Sequence, residues 1–275
     1  MSSVVSGRVS FVIPTRDAAR TLRTCLESIR AQRTVDVEIV VVDNDSRDGS
    51  FAIAGELADV VATGGPERGA QRNRGAALAT GEFLVFADAD MVFEPDVAFE
   101  ARSRLAGDDR CGAVVIPELA FGSGFWARCR VLEKQLYLGD AAVEAARGVR
   151  ACDFAAVGGY DESFVGGEDW DLADRVAAVH AGALARTDAR VWHDEGTIRL
   201  RTTFKKKRYY GRGLATYLGR ARPRPLARRV LRHPGPLVRR PAFAAGLAVL
   251  KAVELSGAAV GVLDEHRARG ASGDA

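Results

Sequence analysis

The first half of the chain alternates between two hydrophobic periods. Residues 9–13 (VSFVI) form a β-rich apolar run closed by Pro14, and residues 18–31 follow with Leu22, Leu26 and Ile29 at helical spacing. Residues 37–42 (VEIVVV) are again apolar and β-branched, and residues 51–58 read as a helix. Residues 59–62 form a short strand, residues 69–80 an Ala-rich helix stopped by Gly81, and residues 82–87 (EFLVFA) another buried strand. Short strands that are apolar throughout, alternating with helices, predict a parallel sheet covered on both faces. The fold class is therefore α/β.

The middle is less regular. Residues 113–116 fit a strand, and residues 125–138 a helix with Trp126, Val131, Leu132 and Leu136 inward. Residues 169–181 predict a helix with Leu172, Val176 and Val179 on one face, and residues 189–192 a last short strand ending at His193. No internal repeat is visible. Near residue 200 the composition changes to basic, then apolar, then polar, which places a domain boundary there.

Composition changes this picture only in the last third. The 275 residues are 47% hydrophobic and 27% charged with a net charge of +3, ordinary values for a chain with a sizeable core. The charge is unevenly placed: from Lys205 to Arg240 Lys and Arg abound and no Asp or Glu occurs, a pattern that asks for an anionic partner. Lys205, Lys206, Lys207, Arg208, Tyr209, Tyr210 and Arg212 make a basic, aromatic cluster, and eight arginines lie between Arg220 and Arg240. The cluster reads either as a solvated helix face or as a clamp for phosphates. Residues 242–263 are apolar but contain Lys251 and Glu254, whose cost in hydrocarbon argues against a single membrane span. A basic helix beside an apolar one suggests peripheral contact with an anionic membrane; packing on the α/β domain or in a dimer is the alternative. Cys25, Cys111, Cys129 and Cys152 lack metal spacing and read as buried, reduced thiols. The first apolar run has strand length, so no signal peptide is read.

The candidate chemistry sits where the strands end. In an open parallel sheet, ligands bind beyond the carboxyl ends of the strands. Asp17, Asp43 and the pair Asp88 and Asp90 each follow a strand, so three strands deliver carboxylates to one rim. Two carboxylates one residue apart suit Mg²⁺ or Mn²⁺, although Asp-x-Asp is also common in solvated loops. Asp43 lies in VVVDNDSRDGS, where Asp48 and Ser50 are better placed to cap the next helix, leaving Asp43 for a ligand. In Gly166-Gly167-Glu168-Asp169-Trp170-Asp171 the acids favour a helix start through the dipole, and one of them fits a general base. His193 is either structural or a metal or diphosphate contact.

Six pieces in this order resemble a family-2 glycosyltransferase: VSFVIPTRD at 9–17, VVVDNDSRDGS at 40–50, GAQRNRGAA at 69–77, GEFLVFADAD at 81–90, GGYDESF at 158–164 and GEDWDLADR at 167–175. The resemblance covers about residues 8–200. It implies a GT-A fold, a Rossmann-like, mostly parallel central sheet flanked by helices, here with a C-terminal helical, basic and apolar extension. The catalytic domain would be residues 1–200, with a donor half over about 1–107 and an acceptor half over about 108–200, and the extension residues 201–275.

The resemblance also implies roles. Pro14, Thr15, Asp17 and Asp43 would line the nucleotide pocket, and Arg72 and Asn73 would reach the base, ribose or phosphates. Asp88 would contact ribose or metal, Asp90 would be the main metal ligand and His193 a further one, and Mn²⁺ or Mg²⁺ the cofactor. Asp169 would be the catalytic base, while Glu168 and Trp170 shape the acceptor site. Outside the resemblance, the basic cluster itself offers Lys206, Arg208 and Tyr209 as the phosphate clamp. Thr15-Arg16-Asp17 stands where relatives often carry Tyr or Asn. The implied partners are a nucleotide-diphosphate sugar and a hydroxyl acceptor; the basic tail alone suggests a lipid-linked or cell-envelope glycan as that acceptor. An anionic membrane surface and a second copy of the chain are further candidates, and the implied location is the cytoplasm or the inner face of the cell membrane. A nucleotidyltransferase is the rival enzyme class, but its Gly- and Lys-rich phosphate loop is not visible near Pro14. A sugar-nucleotide or membrane-binding protein without activity is the rival that is not an enzyme. No nucleic-acid module, Walker loop, G-x-S-x-G or zinc site is present in the sequence, so nucleic acid is not an expected partner.

Overall fold

The computed structural model describes residues 7–140, 143–164, 166–180, 183–212 and 235–273. The elements in chain order are β1 (Val9–Thr15), α1 (Ala19–Arg30), β2 (Val37–Asp43), α2 (Ser50–Leu57), β3 (Val60–Thr63), α3 (Arg68–Leu78), β4 (Phe83–Phe86) and β5 (Met91–Phe93). There follow α4 (Val97–Gly107), β6 (Cys111–Val115), β7 (Glu118–Ser123), α5 (Gly124–Tyr137), β8 (Ala146–Arg150), α6 (Ala151–Ala156) and α7 (Glu168–Val179). The chain continues with β9 (Ala183–Arg186), β10 (Val191–Thr197), α8 (Leu200–Gly211), α9 (Gly235–Arg239) and α10 (Pro241–Gly273). It forms two compact units, the first from Met1–Leu119, Glu144–Glu162 and Glu168–Asp194, the second from Ala120–Val143, Ser163–Gly167 and Glu195–Ala275.

The first unit is built on a seven-stranded sheet of order β3-β2-β1-β4-β8-β6-β9. The four strands β3, β2, β1 and β4 run parallel, as their uninterrupted apolar character predicts. Strand side chains alternate between faces, and both faces are buried. Phe11, Ile13 and Val85 pack into a core with Leu22, Leu26 and Ile29 of α1, while Val12, Leu84 and Phe86 pack into another with Leu172 and Val176 of α7. Each such fully buried side chain contributes roughly 1.5–3 kcal/mol of transfer free energy. Gly75 permits α3 to lie close on the sheet, since a Cβ there would enter the Val12 side chain.

The sheet is mostly parallel, as expected, with β8 inserted antiparallel between β4 and β6. Two details of this unit differ from the sequence expectation. Along α7, Leu172 and Val176 are buried but Val179 is 63% exposed, because the last turn of the helix runs past the core. Cysteines are reduced, as expected, yet Cys152 is exposed rather than buried.

In the second unit α10 packs against α5 and α8. Leu132 and Leu136 of α5 are buried as predicted, whereas Trp126 and Val131 are only half-buried. A Cβ at Gly257 would meet the Phe204 carbonyl oxygen at 2.6 Å, so glycine lets the backbones of α8 and α10 touch. Glu254 is buried among Arg130, Lys207 and Lys251, and Arg130 and Lys251 also pair with the buried Glu133. Burial alone would raise the Glu254 pKa, but Arg130 and then Lys207 and Lys251 outweigh it and lower it to about 2. The residues expected to interrupt a membrane span, Lys251 and Glu254, are therefore spent on an ion cluster inside this unit. The arginines from Arg220 to Arg232 lie outside the described residues.

Candidate active site

The loops after β1 and β2 are knitted together. Thr15 and Asp43 are register partners at the ends of these strands, and both are buried, as is Pro14. Both Asp43 oxygens hold Ser46, Oδ1 accepting from the backbone N–H at 2.9 Å and Oδ2 from the hydroxyl at 2.5 Å. Asp17 has φ 47°, and its Oδ1 accepts the Arg47 N–H at 2.8 Å. Asp48 and Ser50, expected to cap the following helix, do so in part: Asp48 Oδ1 accepts the Ser50 N–H at 3.1 Å, the N-cap of α2 is Gly49, and Asp48 Oδ2 and Ser50 Oγ take the N–H groups of Ala19 and Ala18 at 2.9 and 2.8 Å. This tertiary use satisfies the start of α1, which has no side-chain cap of its own.

At the end of β4 the chain turns through Asp88-Ala89-Asp90, with the Met91 N–H donating to the Asp88 carbonyl at 3.1 Å. The strand that follows, β5, pairs antiparallel with β10 and sets His193 opposite Met91. His193 is thus the third residue of a longer strand rather than the residue after its end. Cross-strand pairing brings its Nε2 within 3.1 Å of Asp90 Oδ2, while Nδ1 lies 3.0 Å from Glu118 Oε1. One ligand atom each from Asp88, Asp90 and His193 falls within 4.8 Å of the others. Two hard carboxylates and an imidazole whose second nitrogen is held by a carboxylate fit a divalent cation such as Mn²⁺ or Mg²⁺. Burial lowers the His193 pKa, but the hydrogen bonds to Asp90 and Glu118 outweigh it and raise it to about 10.

Arg72 of α3 joins these groups to α7. Its side chain is fully buried. It donates through Nη2 to Asp88 Oδ1 at 2.8 Å and through Nη1 to Asp169 Oδ1 at 2.8 Å and Glu168 Oε1 at 3.4 Å. Arg68 reaches Glu168 at 2.9 Å, and Arg147 on β8 reaches Asp88 at 3.4 Å and Glu118 at 3.1 Å. Burial would raise the Asp88 pKa, but Arg147 and Arg72 hold it well below the usual carboxylate range. Tyr160 donates its hydroxyl to Asp169 Oδ1 at 3.1 Å, and burial followed by the Asp169 charge keeps that phenol protonated. Asn73 secures the turn that carries Tyr160: its Oδ1 accepts the Tyr160 N–H at 2.8 Å and its Nδ2 donates to the Tyr160 carbonyl at 2.9 Å. Gly159, with φ 70°, is required there because a Cβ would meet Asn73 Oδ1 at 2.6 Å.

The structure therefore brings Arg72, Asp88, Asp90, Glu168, Asp169 and His193 into one connected network in the first unit, with Trp170 half-buried beside Asp169. Lys206, Arg208 and Tyr209 lie on α8 in the second unit; Lys206 is exposed and Arg208 pairs with Asp264 at 2.6 Å. Sequence reasoning passed over Glu118, Arg147 and Tyr160. Arg147 carried a usable signal, since a cation within a short buried strand has to find a counter-charge.

Removing the guanidinium would leave three carboxylates facing one another. Arg72→Met is expected to cost about 3–5 kcal/mol, lowering the melting temperature by on the order of 10 °C. Arg72→Lys should recover only part of this, because a single ammonium lacks the planar fork. Calorimetry of the three proteins provides the check; equal melting temperatures would show that the carboxylates are neutralised by other groups.

Among known proteins, the chain is 32% identical over 225 residues to the pre-mycofactocin glycosyltransferase of Mycobacterium tuberculosis, a match covering 74% of this chain and 46% of that one. The chain spans between 31% and 46% of the length of the first three curated relatives it matches. Its fold is similar to that of the mannosyltransferase PcManGT from Pyrobaculum calidifontis, solved in complex with GDP-Man and Mn²⁺. That similarity has a TM-score of 0.59 at 21% identity and covers 93% of this chain and 80% of that one. It is also similar to S. aureus TarS 1–349, solved with UDP-GlcNAc, with a TM-score of 0.51 at 15% identity over 94% and 89% of the two chains. At these identities the likeness to the solved structures is one of fold, and that fold is GT-A. Residues 10–137 match the family described as Glycosyl transferase family 2, and it is to this family that this stretch of the chain belongs.

Proposed function

We propose that the protein is a divalent-metal-dependent, inverting glycosyltransferase that moves a sugar from a nucleotide-diphosphate sugar to a hydroxyl acceptor. The observation that carries this reading is the buried Arg72 fork, which ties Asp88 of the candidate metal cluster to Asp169 on another element. Asp88, Asp90 and His193 would hold the cation. When bound, Mn²⁺ or Mg²⁺ supplies charge neutralisation for a departing diphosphate. Arg72 and Tyr160 orient Asp169, and both of their hydrogen bonds fall on Oδ1. Asp169 then takes the acceptor proton as the acceptor oxygen bonds to the anomeric carbon. The anomeric C–O bond to phosphate breaks on the opposite face, its electron pair leaves with the nucleoside diphosphate, and a single displacement inverts the centre.

The two solved relatives hold GDP-Man and UDP-GlcNAc, which makes guanosine and uridine diphosphate sugars the first donors to test. The acceptor we favour is a lipid-linked or cell-envelope glycan hydroxyl met at the cytoplasmic face of a membrane, supported by the cationic and apolar C-terminal segment.

A thermal-shift panel of nucleoside diphosphates and their sugars, with and without Mn²⁺, tests the donor reading. A ligand at a hundred times its Kd should stabilise the fold by about 2.7 kcal/mol. The shift is expected for one base only and only with the cation present. A panel in which no sugar nucleotide shifts the protein would overturn the assignment.

A further inference from the structure

The ion cluster of the second unit has an effect on α10 that its sequence conceals. Read as a string, the helix is apolar but interrupted by Lys251 and Glu254. In the fold, Glu254 is buried and Lys251 turns to Glu133 and Glu254, so both charges face α5 and α8. The opposite face is left without charge. Val249, Ala252, Leu255, Ala259 and Leu263 recur there at helical spacing, and Val249, Leu255 and Leu263 are 47%, 69% and 55% exposed. Ser256 is the polar residue among them. An 18-residue stretch within Pro241–Arg267 has a mean hydropathy of 1.7, and only one third of that stretch is buried.

The charges around this face have one sign. Among the described residues of α8, α9 and α10, every exposed charged side chain is cationic: Arg201, Lys205, Lys206, Arg208, Arg239 and Arg267. The acids of these helices, Glu254, Asp264 and Glu265, are buried or half-buried. An exposed apolar stripe on a group of helices whose exposed charges are all cationic matches the boundary of an anionic bilayer, where acyl chains lie beneath phosphate headgroups. A spanning helix would have to carry Lys251 and Glu254 into hydrocarbon; a helix lying flat leaves them inside the protein.

We propose that α10 lies flat on an anionic phospholipid surface, its Val249–Leu255–Leu263 face in the acyl boundary and the surrounding cations on the headgroups. The proposal rests on the membrane placement given above and is independent of the donor chemistry.

Co-sedimentation of the full chain with phosphatidylglycerol–phosphatidylcholine vesicles, and with phosphatidylcholine alone, tests it. Binding is expected on the anionic vesicles at low salt and should weaken at high salt. The triple variant Val249→Glu, Leu255→Glu, Leu263→Glu should lower the partition onto anionic vesicles at least about tenfold, with its donor thermal shift unchanged. A Ser triple at the same positions serves if the Glu variant fails to fold. Undiminished binding by the variants would overturn the role of α10 while leaving the membrane placement standing. A parent chain that binds neither vesicle would overturn both, and the nucleotide panel would still report on the donor site. A lipid-free dimer that the triple variant dissolves, with no vesicle binding, would show that a second copy covers this face.

Discussion

Asp90→Asn is expected to abolish the divalent-ion requirement together with the activity. The substitution keeps the size of the side chain and removes one of the two carboxylates that, with His193, make up the cluster. A neutral amide is a poor ligand for a hard cation, and the cluster is left with a single anion. Loss of the several kcal/mol of charge stabilisation a cation gives a leaving diphosphate corresponds to a fall in kcat/KM of at least about a thousandfold. Donor binding should fall with it, and titration of donor in the presence of Mn²⁺ should look like titration without it. Calorimetric binding of Mn²⁺ alone gives a readout free of turnover. An Asp90→Asn protein with undiminished Mn²⁺ affinity would place the cation elsewhere.

Asp169→Asn separates binding from chemistry. Asn retains an oxygen that can accept from Arg72 and from the Tyr160 hydroxyl, so the geometry at α7 should persist. Arg72 keeps Asp88 and Glu168 as counter-charges. The amide cannot take a proton from an acceptor hydroxyl, and loss of a positioned base costs on the order of a thousandfold in rate. The expected outcome is therefore kcat reduced by about that factor, with donor and Mn²⁺ affinities changed by less than about threefold. Turnover near the parent rate would assign the proton to another group. A loss of donor affinity equal to the loss of rate would make Asp169 a binding residue.

Much of this site is legible in the sequence for a reason particular to parallel sheets. Strands that run the same way end on the same rim, so acids that follow apolar runs at positions 13, 42 and 87 must gather there. The helix faces of α1 and of the first turns of α7 follow equally from local periodicity. What escaped depends on pairing between distant strands. β8 carries two arginines in five residues and reads as irregular until β4 and β6 enclose it, and only then does Arg147 face Asp88 and Glu118. His193 was picked out as a strand-end residue, yet its position comes from the β5–β10 ladder. Asp48 and Ser50 show tertiary context added to a local rule, for Asp48 holds the Ser50 N–H of the following helix while both side chains also serve a helix about thirty residues earlier in the chain.

The hidden guanidinium of Arg72 bears on how the molecule is made. Its partners lie 16, 96 and 97 residues further along the chain. During synthesis, β1 to β4 and α3 leave the ribosome well before α7 exists. Until α7 arrives, the cation has one of its three anions, and sealing it from water would be costly. Long-range closure of this kind comes late in folding. A nascent chain thus gains Asp169 and the remaining counter-charges of Arg72 in the same event.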